Sequence, residues 1–237
     1  MRILCLAIVA AICSVVSAKD ANIRNYEMDA GDFTELKVTG NINVEYTAGE
    51  DSAGYVKYDC TPAEASMVSV SRSKNGRLEV QFVNETGNEV VTPICVRVRS
   101  RFLTYVENSG DSTLTVRSLT PCPALKARIE GNGNLDLRDI SVNDLSCHIV
   151  AGHGVLSVSG KTPKAYFSVT GSGSVQALNL EVGDVKCLSA MSAKFYVAPT
   201  KLLTVNGTGG TIYYVGTPSI KKSLAIGVKV KPLSESK

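Results

Sequence analysis

The sequence predicts an all-β protein whose strands coil into a parallel solenoid with about 20 residues per coil. Three observations lead to this fold class. A Gly-containing phrase recurs six times at nearly constant spacing, apolar residues alternate after every copy, and the copies follow one another without intervening helices. Fixed self-similarity of this kind is typical of stacked repeats.

The recurring phrase is an apolar residue, a spacer, a small residue, a polar residue and a second small residue. Its first residues lie 23, 21, 19, 19 and 17 positions apart. The copies are Val106–Gly110, Ile129–Gly133, Val150–Gly154, Val169–Gly173, Leu188–Ser192 and Val205–Gly209.

The small residues of the phrase are predicted to form the turns between strands. Glycine reaches positive φ without a Cβ penalty, and coils stacked about 4.8 Å apart leave little room at a corner. Ala190 and Ser192 replace glycine in the fifth copy, which predicts a corner there without positive φ. The predicted turn glycines are Gly110, Gly131, Gly133, Gly152, Gly154, Gly171, Gly173, Gly207 and Gly209.

Each phrase is followed by two apolar residues with one residue between them, which is the alternation of a half-buried strand. The predicted inward pairs are Leu114/Val116, Leu135/Leu137, Leu156/Val158, Val175/Ala177, Phe195/Val197 and Ile212/Tyr214. The residues between them form a predicted outward column of Thr115, Asp136, Ser157, Gln176, Tyr196 and Tyr213.

Residues 19–105 also alternate, but less regularly. We expect them to form strands that cap or continue the stack of residues 106–219, and a separate domain ending near residue 105 is the alternative. Turns are predicted at Ala48–Asp51, Lys74–Gly76 and Thr86–Asn88. Residues 220–237 are charged and contain Pro232, so we expect a C-terminal cap or tail that blocks the open edge. The alternating residues are Leu36, Val38, Ile42, Val44 and Tyr46, then Leu78, Val80 and Phe82, then Ile94, Val96 and Val98.

The first eighteen residues have the pattern of an export signal. Arg2 supplies the charge, residues 3–16 are a fourteen-residue apolar stretch, and Val16-Ser17-Ala18 offers a cleavage site. Such a stretch is too short to cross a hydrocarbon core of about 30 Å as a helix. We therefore expect a cleaved signal and an exported chain from Lys19 to Lys237 without a transmembrane segment; an uncleaved N-terminal anchor is the alternative.

The composition narrows the classes of partner. With 237 residues, 44% hydrophobic and 20% charged, the chain is too apolar for disorder. The formal net charge is only +3, and its Lys and Arg residues are too scattered to indicate a nucleic-acid or anionic-membrane surface.

The cysteines predict neither a metal site nor a redox dithiol, because no Cys-x-x-Cys pair or zinc-ligand spacing occurs. Cys147 and Cys187 lie in alternating apolar segments and are predicted to be buried. The sequence leaves open whether two of the five cysteines in the exported chain form a disulfide. These cysteines are Cys60, Cys95, Cys122, Cys147 and Cys187.

Several segments also carry a family resemblance. They are the run DFTELKVTGNINV from Asp32 to Val44, the serial Gly-x-Gly phrases, and the closing segments Val205–Gly209 and Tyr214–Pro218. Over residues 32–220 the chain resembles the putative auto-transporter adhesin, head GIN domain family. The resemblance implies a right-handed β-helix-like core, export to the periplasm or outer cell surface of a Gram-negative bacterium, and an adhesin-like or scaffolding role. It brings no active-site motif.

The Gly-x-Gly phrases do not predict a nucleotide, cofactor or metal site. A dinucleotide fingerprint needs a third glycine at a strand-to-helix turn, and calcium-binding repeats need an Asp in every copy, whereas only Asp136 is suitably placed here. His148 and His153 are the only histidines, and His153 is predicted to be a polar corner residue.

Catalysis is the less favoured hypothesis. Asp136, Asp139 and Asp144 are close in sequence, and two carboxylates at suitable separation can hydrolyse a glycosidic bond. However, Thr115 and Ser157 flank Asp136 in the outward column, so no second carboxylate is expected there. A solvated acidic surface is the preferred interpretation over a polysaccharide hydrolase or lyase.

Tyr196 and Tyr213 are the specific binding candidate. They occupy the same outward position on adjacent coils, so their rings are expected to stack about 4.8 Å apart. Exposed aromatic rings can contact a glycan or a cell-surface protein. The alternative is that the segment after Pro218 folds back and covers them.

Overall fold

The computed structural model describes residues 22–83 and 93–233. The predicted export signal and the predicted turn at Thr86–Asn88 lie outside the described residues. Strands make up 71% of the described residues and helix 2%, and the strands wind into a β-solenoid of about six turns, which confirms the predicted fold class.

The strands belong to one fifteen-stranded curled sheet. One short helix, α1, spans Pro62–Ala65. The strands are β1 Arg24–Asp29, β2 Glu35–Thr39, β3 Asn43–Ala48, β4 Tyr55–Cys60, β5 Val68–Arg72, β6 Arg77–Phe82, β7 Cys95–Ser100, β8 Tyr105–Ser109, β9 Thr113–Arg117, β10 Cys122–Ile129, β11 Asn134–Ile149, β12 Val155–Gly171, β13 Ser174–Tyr214, β14 Ser219–Ile226 and β15 Lys229–Pro232.

Strands β11, β12 and β13 show how one coil lies on the next. β11 pairs in parallel with β12, from Leu135 opposite Leu156 to Ile149 opposite Val169, and β12 pairs with β13 in the same way. A register shift between Leu137 and Ile140 marks a corner. The buried residues of this coil point inward from all its sides: Leu135, Leu137, Ile140, Val142, Leu145, Cys147 and Ile149.

Parallel strands stack on two sides of the solenoid, which we call the first face and the second face. The first face contains β3, β7, β9, the opening segments of β11 and β12, the β13 segments around Gln176, Tyr196 and Tyr213, and finally β15. The second face contains β2, β6, β8, β10, the closing segments of β11 and β12, their β13 partners, and finally β14.

The predicted inward pairs are buried, except that Tyr214 is only partly buried. In the outward column, Thr115 differs from the prediction because it is only 7% exposed. It lies between Glu45 and Asp136 on the neighbouring strands, and these longer side chains form ion pairs with Arg117 and Arg138. A short side chain between two bridged neighbours is therefore covered although it faces outward.

The corner of the fifth copy departs from the prediction. Met191, which pairs with Gly171, has a φ of 60°, so this corner does use the left-handed region. The expectation of a turn without positive φ at Ala190 and Ser192 is wrong, because Ser189 holds the first position of this copy and Met191, not Ala190, occupies the corner. Met191 is also 68% exposed, which keeps its side chain out of the crowded corner.

The predicted turn glycines lie where stacked coils come closest. Gly207 has a φ of +122°, and a Cβ there would lie 1.8 Å from the carbonyl oxygen of Ser189. Positive φ is also found at Gly131, Gly152, Gly171 and Gly209. At the remaining four a Cβ would come within 3 Å of the coil beneath: Gly110, Gly133, Gly154 and Gly173.

The N-terminal strands join the same sheet but do not stack in chain order. β6 and β7 pair in parallel with one side of β2 and β3, while β8 and β9 pair with the other side. The first coil of the chain therefore lies inside the stack. Antiparallel pairing of β1 with β4, β4 with β7, and β5 with β6 closes this end.

The five cysteines of the described residues are free thiols. Cys147 and Cys187 are buried within the solenoid core, as predicted, and burial raises the pKa of both thiols.

Candidate functional site

Tyr196 and Tyr213 stack on neighbouring coils of the first face. Their ring centroids lie 5.0 Å apart and their ring planes are inclined by only 12°. Phe195 and Ile212, the preceding residues, are fully buried, so strand alternation turns both tyrosines outward. In-register stacking of equivalent positions thus produces a pair of parallel rings, which we call the tyrosine pair.

Polar side chains lie at both ends of the tyrosine pair. On β15, Lys231 pairs with Tyr213 in the strand ladder. On the coil before Tyr196, Gln176 holds the equivalent position, and its Nε2 donates a hydrogen bond to Ser174 Oγ at 2.9 Å. The aromatic surface is therefore bordered by an ammonium group and an amide, both of which can donate hydrogen bonds to an oxygen-rich ligand.

Of the chain after Pro218, the described residues 219–233 extend the sheet instead of covering the tyrosine pair. β15 lies edge to edge with β13 as the next parallel strand of the first face. Both tyrosines remain partly exposed. The alternative that residues 219–233 fold back over the rings is therefore wrong.

The three aspartates of the catalytic hypothesis are not brought together. Asp136 is tied to Arg138, whose Nε donates to its Oδ2 at 2.6 Å. Asp139 sits at a corner with a φ of 54°, and Asp144 opens the second-face segment, opposite Lys164 of β12. Within the described residues, no group of three His, Cys, Asp or Glu side chains is arranged to hold a metal ion.

The two histidines lie apart. His148 faces outward on the second face, where its ring meets that of Tyr166 edge-on at 5.5 Å. Burial, together with the charges of Lys126 and Arg128, lowers the pKa of His148 below its ordinary value. His153 is exposed at its corner, as predicted, and only its backbone is anchored there.

Sequence reasoning missed a buried carboxylate on the second face. Glu107 is 5% exposed and accepts hydrogen bonds from the hydroxyls of Tyr105 and Ser109, while Lys37 Nζ lies 3.2 Å away. Burial alone would raise the pKa of Glu107, but these donors lower it overall. Lys37 is seventy residues earlier in the chain, so only the stacking register reveals this cluster.

The comparisons with known proteins agree with this architecture. The family model of the putative auto-transporter adhesin, head GIN domain, matches residues 32–218. The chain belongs to this family. The match covers most of the chain and confirms the resemblance of the sequence.

Three solved structures similar to this head GIN domain come from Bacteroides and Parabacteroides species. A putative adhesin from Bacteroides fragilis is 18% identical, with a TM-score of 0.77 over 91% of this chain and 99% of that chain. A putative adhesin from Parabacteroides merdae is 21% identical, with a TM-score of 0.67 over 91% and 98%. A putative lipid binding protein from Parabacteroides distasonis is 21% identical, with a TM-score of 0.68 over 91% and 98%. At these identities the likeness shows the shared fold.

A search of curated proteins finds no match to this head GIN domain. In residues 22–83 and 93–233, no helix has the length and apolar character needed to cross a membrane.

Proposed function

We propose that this head GIN domain is an exported cell-envelope protein that binds a glycan in an adhesin-like, non-enzymatic role. The observation that carries the proposal is the tyrosine pair, two parallel rings on a partly exposed strand surface. The family description and the names of the similar structures support an adhesive role. The pattern of residues 1–18 supports export.

The tyrosine pair suits a sugar ligand for physical reasons. A tyrosine side chain offers a large apolar ring and a hydroxyl group, and few of its torsions must be fixed on binding. Stacking at 5.0 Å restrains the rings further before any ligand arrives. Gln176 and Lys231 border the rings and supply donors for hydroxyl or carboxylate oxygens.

The binding proposal is tested by chromatography of residues 19–237 over immobilised glycans. We expect Tyr196→Ala/Tyr213→Ala to lose retention on the glycan that holds the parent chain. Tyr55→Ala is the matched control, because Tyr55 is 46% exposed and lies on β4 at the other end of the solenoid. Unchanged retention of the double variant, with a normal far-UV spectrum, rejects the tyrosine pair as the ligand contact.

Protease treatment of intact and permeabilised cells tests the location. Digestion on intact cells, with a periplasmic marker preserved, places the chain at the outer surface. Protection until permeabilisation excludes the surface and leaves a periplasmic glycan-binding role. Detection in the cytosol after permeabilisation of both membranes rejects export.

A further inference from the structure

Exposed apolar side chains gather at the C-terminal end of the solenoid. Ten large apolar residues of the described chain are exposed, and half of them lie on the last coils of the second face or at its corner. Leu224 and Ile226 are 78% and 73% exposed. The five residues are Leu188, Met191, Ile220, Leu224 and Ile226.

Stacking brings these residues together although they are distant in sequence. Ile226 pairs with Thr208 and Ile220 with Leu203 in the ladder between β13 and β14. Met191 lies directly below the next corner, since a Cβ at Gly209 would be 2.5 Å from its carbonyl oxygen. The apolar residues therefore belong to one continuous end of the molecule.

The same end carries positive charge with no acidic residue among its strands. Lys221 and Lys222 lie on β14, and Lys229 and Lys231 lie on β15. No Asp or Glu occurs from Ser219 to Leu233. Because Lys229 and Lys231 lie on the first face, we call only Lys221, Lys222 and the five apolar residues the C-terminal patch.

Protection of the sheet edge explains only part of the patch. β14 and β15 are edge strands, and lysines discourage an edge from pairing with another strand. Edge protection, however, gives no reason for Leu224 and Ile226 to be so exposed. Apolar side chains next to several uncompensated lysines are instead the combination that binds a lipid surface.

We infer that the C-terminal patch docks this protein on an anionic lipid bilayer. The lysines approach the acidic headgroups while Leu224 and Ile226 enter the boundary with the acyl chains. The small net charge of the whole chain argued against an anionic-membrane surface, but the lysines of the last two strands are concentrated at one end, with no acidic residue among those strands to offset them. Lys221, Lys222 and the apolar residues belong to the second face or its corner, so a bilayer docked there leaves the tyrosine pair on the first face open to a ligand.

Vesicle co-sedimentation of residues 19–237 tests the inference. We expect binding to vesicles of phosphatidylglycerol and phosphatidylcholine in equal parts, weaker binding at high salt, and little binding to pure phosphatidylcholine. A lysine near an anionic surface contributes about 1 kcal/mol, or roughly fivefold in affinity, so Lys221→Gln/Lys222→Gln should bind roughly thirtyfold more weakly. Leu224→Ser/Ile226→Ser should bind at least about tenfold more weakly.

Matched controls lie at the other end of the solenoid. Lys74 and Ile23 are exposed, so Lys74→Gln and Ile23→Ser should bind vesicles like the parent. Tyr196→Ala/Tyr213→Ala should also bind vesicles normally, which separates this inference from the glycan proposal. Equal binding to neutral vesicles, or equal losses in the control variants, overturns the inference. A patch-dependent dimer without vesicle binding also overturns it, and indicates a second copy as the occupant.

Discussion

Replacing Gly207 with alanine should destabilise the solenoid strongly, because this position combines a positive φ with a close approach of the neighbouring coil. The φ of +122° lies in a region that L-residues avoid, which costs about 1–2 kcal/mol. The new Cβ would lie 1.8 Å from the Ser189 carbonyl oxygen of the coil beneath, so the coils must separate locally, at about 1–3 kcal/mol. We expect the free energy of unfolding to fall by about 2–5 kcal/mol, a large part of the stability of an ordinary domain.

Two other glycines separate these contributions. Gly216 has a φ of +88°, but a Cβ there would meet nothing closer than 3.9 Å, so Gly216→Ala should cost only the backbone term of about 1–2 kcal/mol. At Gly49 a Cβ meets nothing within 4 Å and φ is not in the left-handed region. Gly49→Ala should therefore stabilise by about 0.4–1 kcal/mol, because it restricts the unfolded chain.

The measurement is urea denaturation of the three variants, followed by far-UV circular dichroism and by the near-UV signal of the tyrosines. Coincident transitions are required, since stacked repeats can unfold coil by coil. If Gly207→Ala unfolds at the same urea concentration and slope as Gly216→Ala, the close approach of stacked coils is not what requires glycine at this corner.

Three further predictions concern titratable groups. Residues 19–237 should show five free thiols in denaturant without reductant, with Cys147 and Cys187 unreactive in the folded protein; a lower count contradicts free thiols. Because the folded protein lowers the pKa of Glu107 below its ordinary value of 4.5, the ionised carboxylate stabilises the fold above pH 4.5. This stabilisation is lost as the pH falls through the folded pKa, so the stabilities of Glu107→Gln and the parent should converge in acid. A constant difference contradicts this. The lowered pKa of His148 should reduce stability as pH falls from 6.5 towards the folded pKa. The NMR titration of His148 should show that pKa below 6.5, and His148→Phe should lose less stability over the same range; parallel profiles contradict this.

The alternating residues predicted the strands well because one buried face imposes period two. The alternation predicts that Leu135, Leu156 and Val175 point inward, and the structure buries all three. The same rule determined that Tyr196 and Tyr213 face outward and meet, since the buried residue before each tyrosine sets the register.

Alignment of the repeats was less reliable at the corners. Their apolar side chains predict that Leu188 and Val205 are the first residues of their copies. In the structure Ser189 and Gly207 occupy equivalent places instead, as their close approach shows. Because the coils differ in length by one or two residues, the true first residue of a copy does not fall at a fixed spacing. An apolar residue next to that position then fits the repeated pattern better than the true one.

Stacking order and cross-coil partners were beyond the reach of the sequence pattern. Alternation gives the inward face of a strand, but it does not say which strand lies beside it. The position of β6 and β7 next to β2 and β3, and the contact of Lys37 with Glu107, both depend on that choice. For the same reason Lys231 could be assigned to a tail but not to the edge of the tyrosine pair.

The most direct test of the glycan proposal is an NMR titration of residues 19–237 carrying isotope-labelled tyrosine. Resonances are assigned by single Tyr→Phe variants, and the titrant is a soluble oligosaccharide of the glycan that retains the chain. We predict that the ring signals of Tyr196 and Tyr213 shift together and saturate with one dissociation constant, while the signal of exposed Tyr55 stays in place. Binding that shifts Tyr55 or other rings and leaves Tyr196 and Tyr213 unmoved would contradict the account.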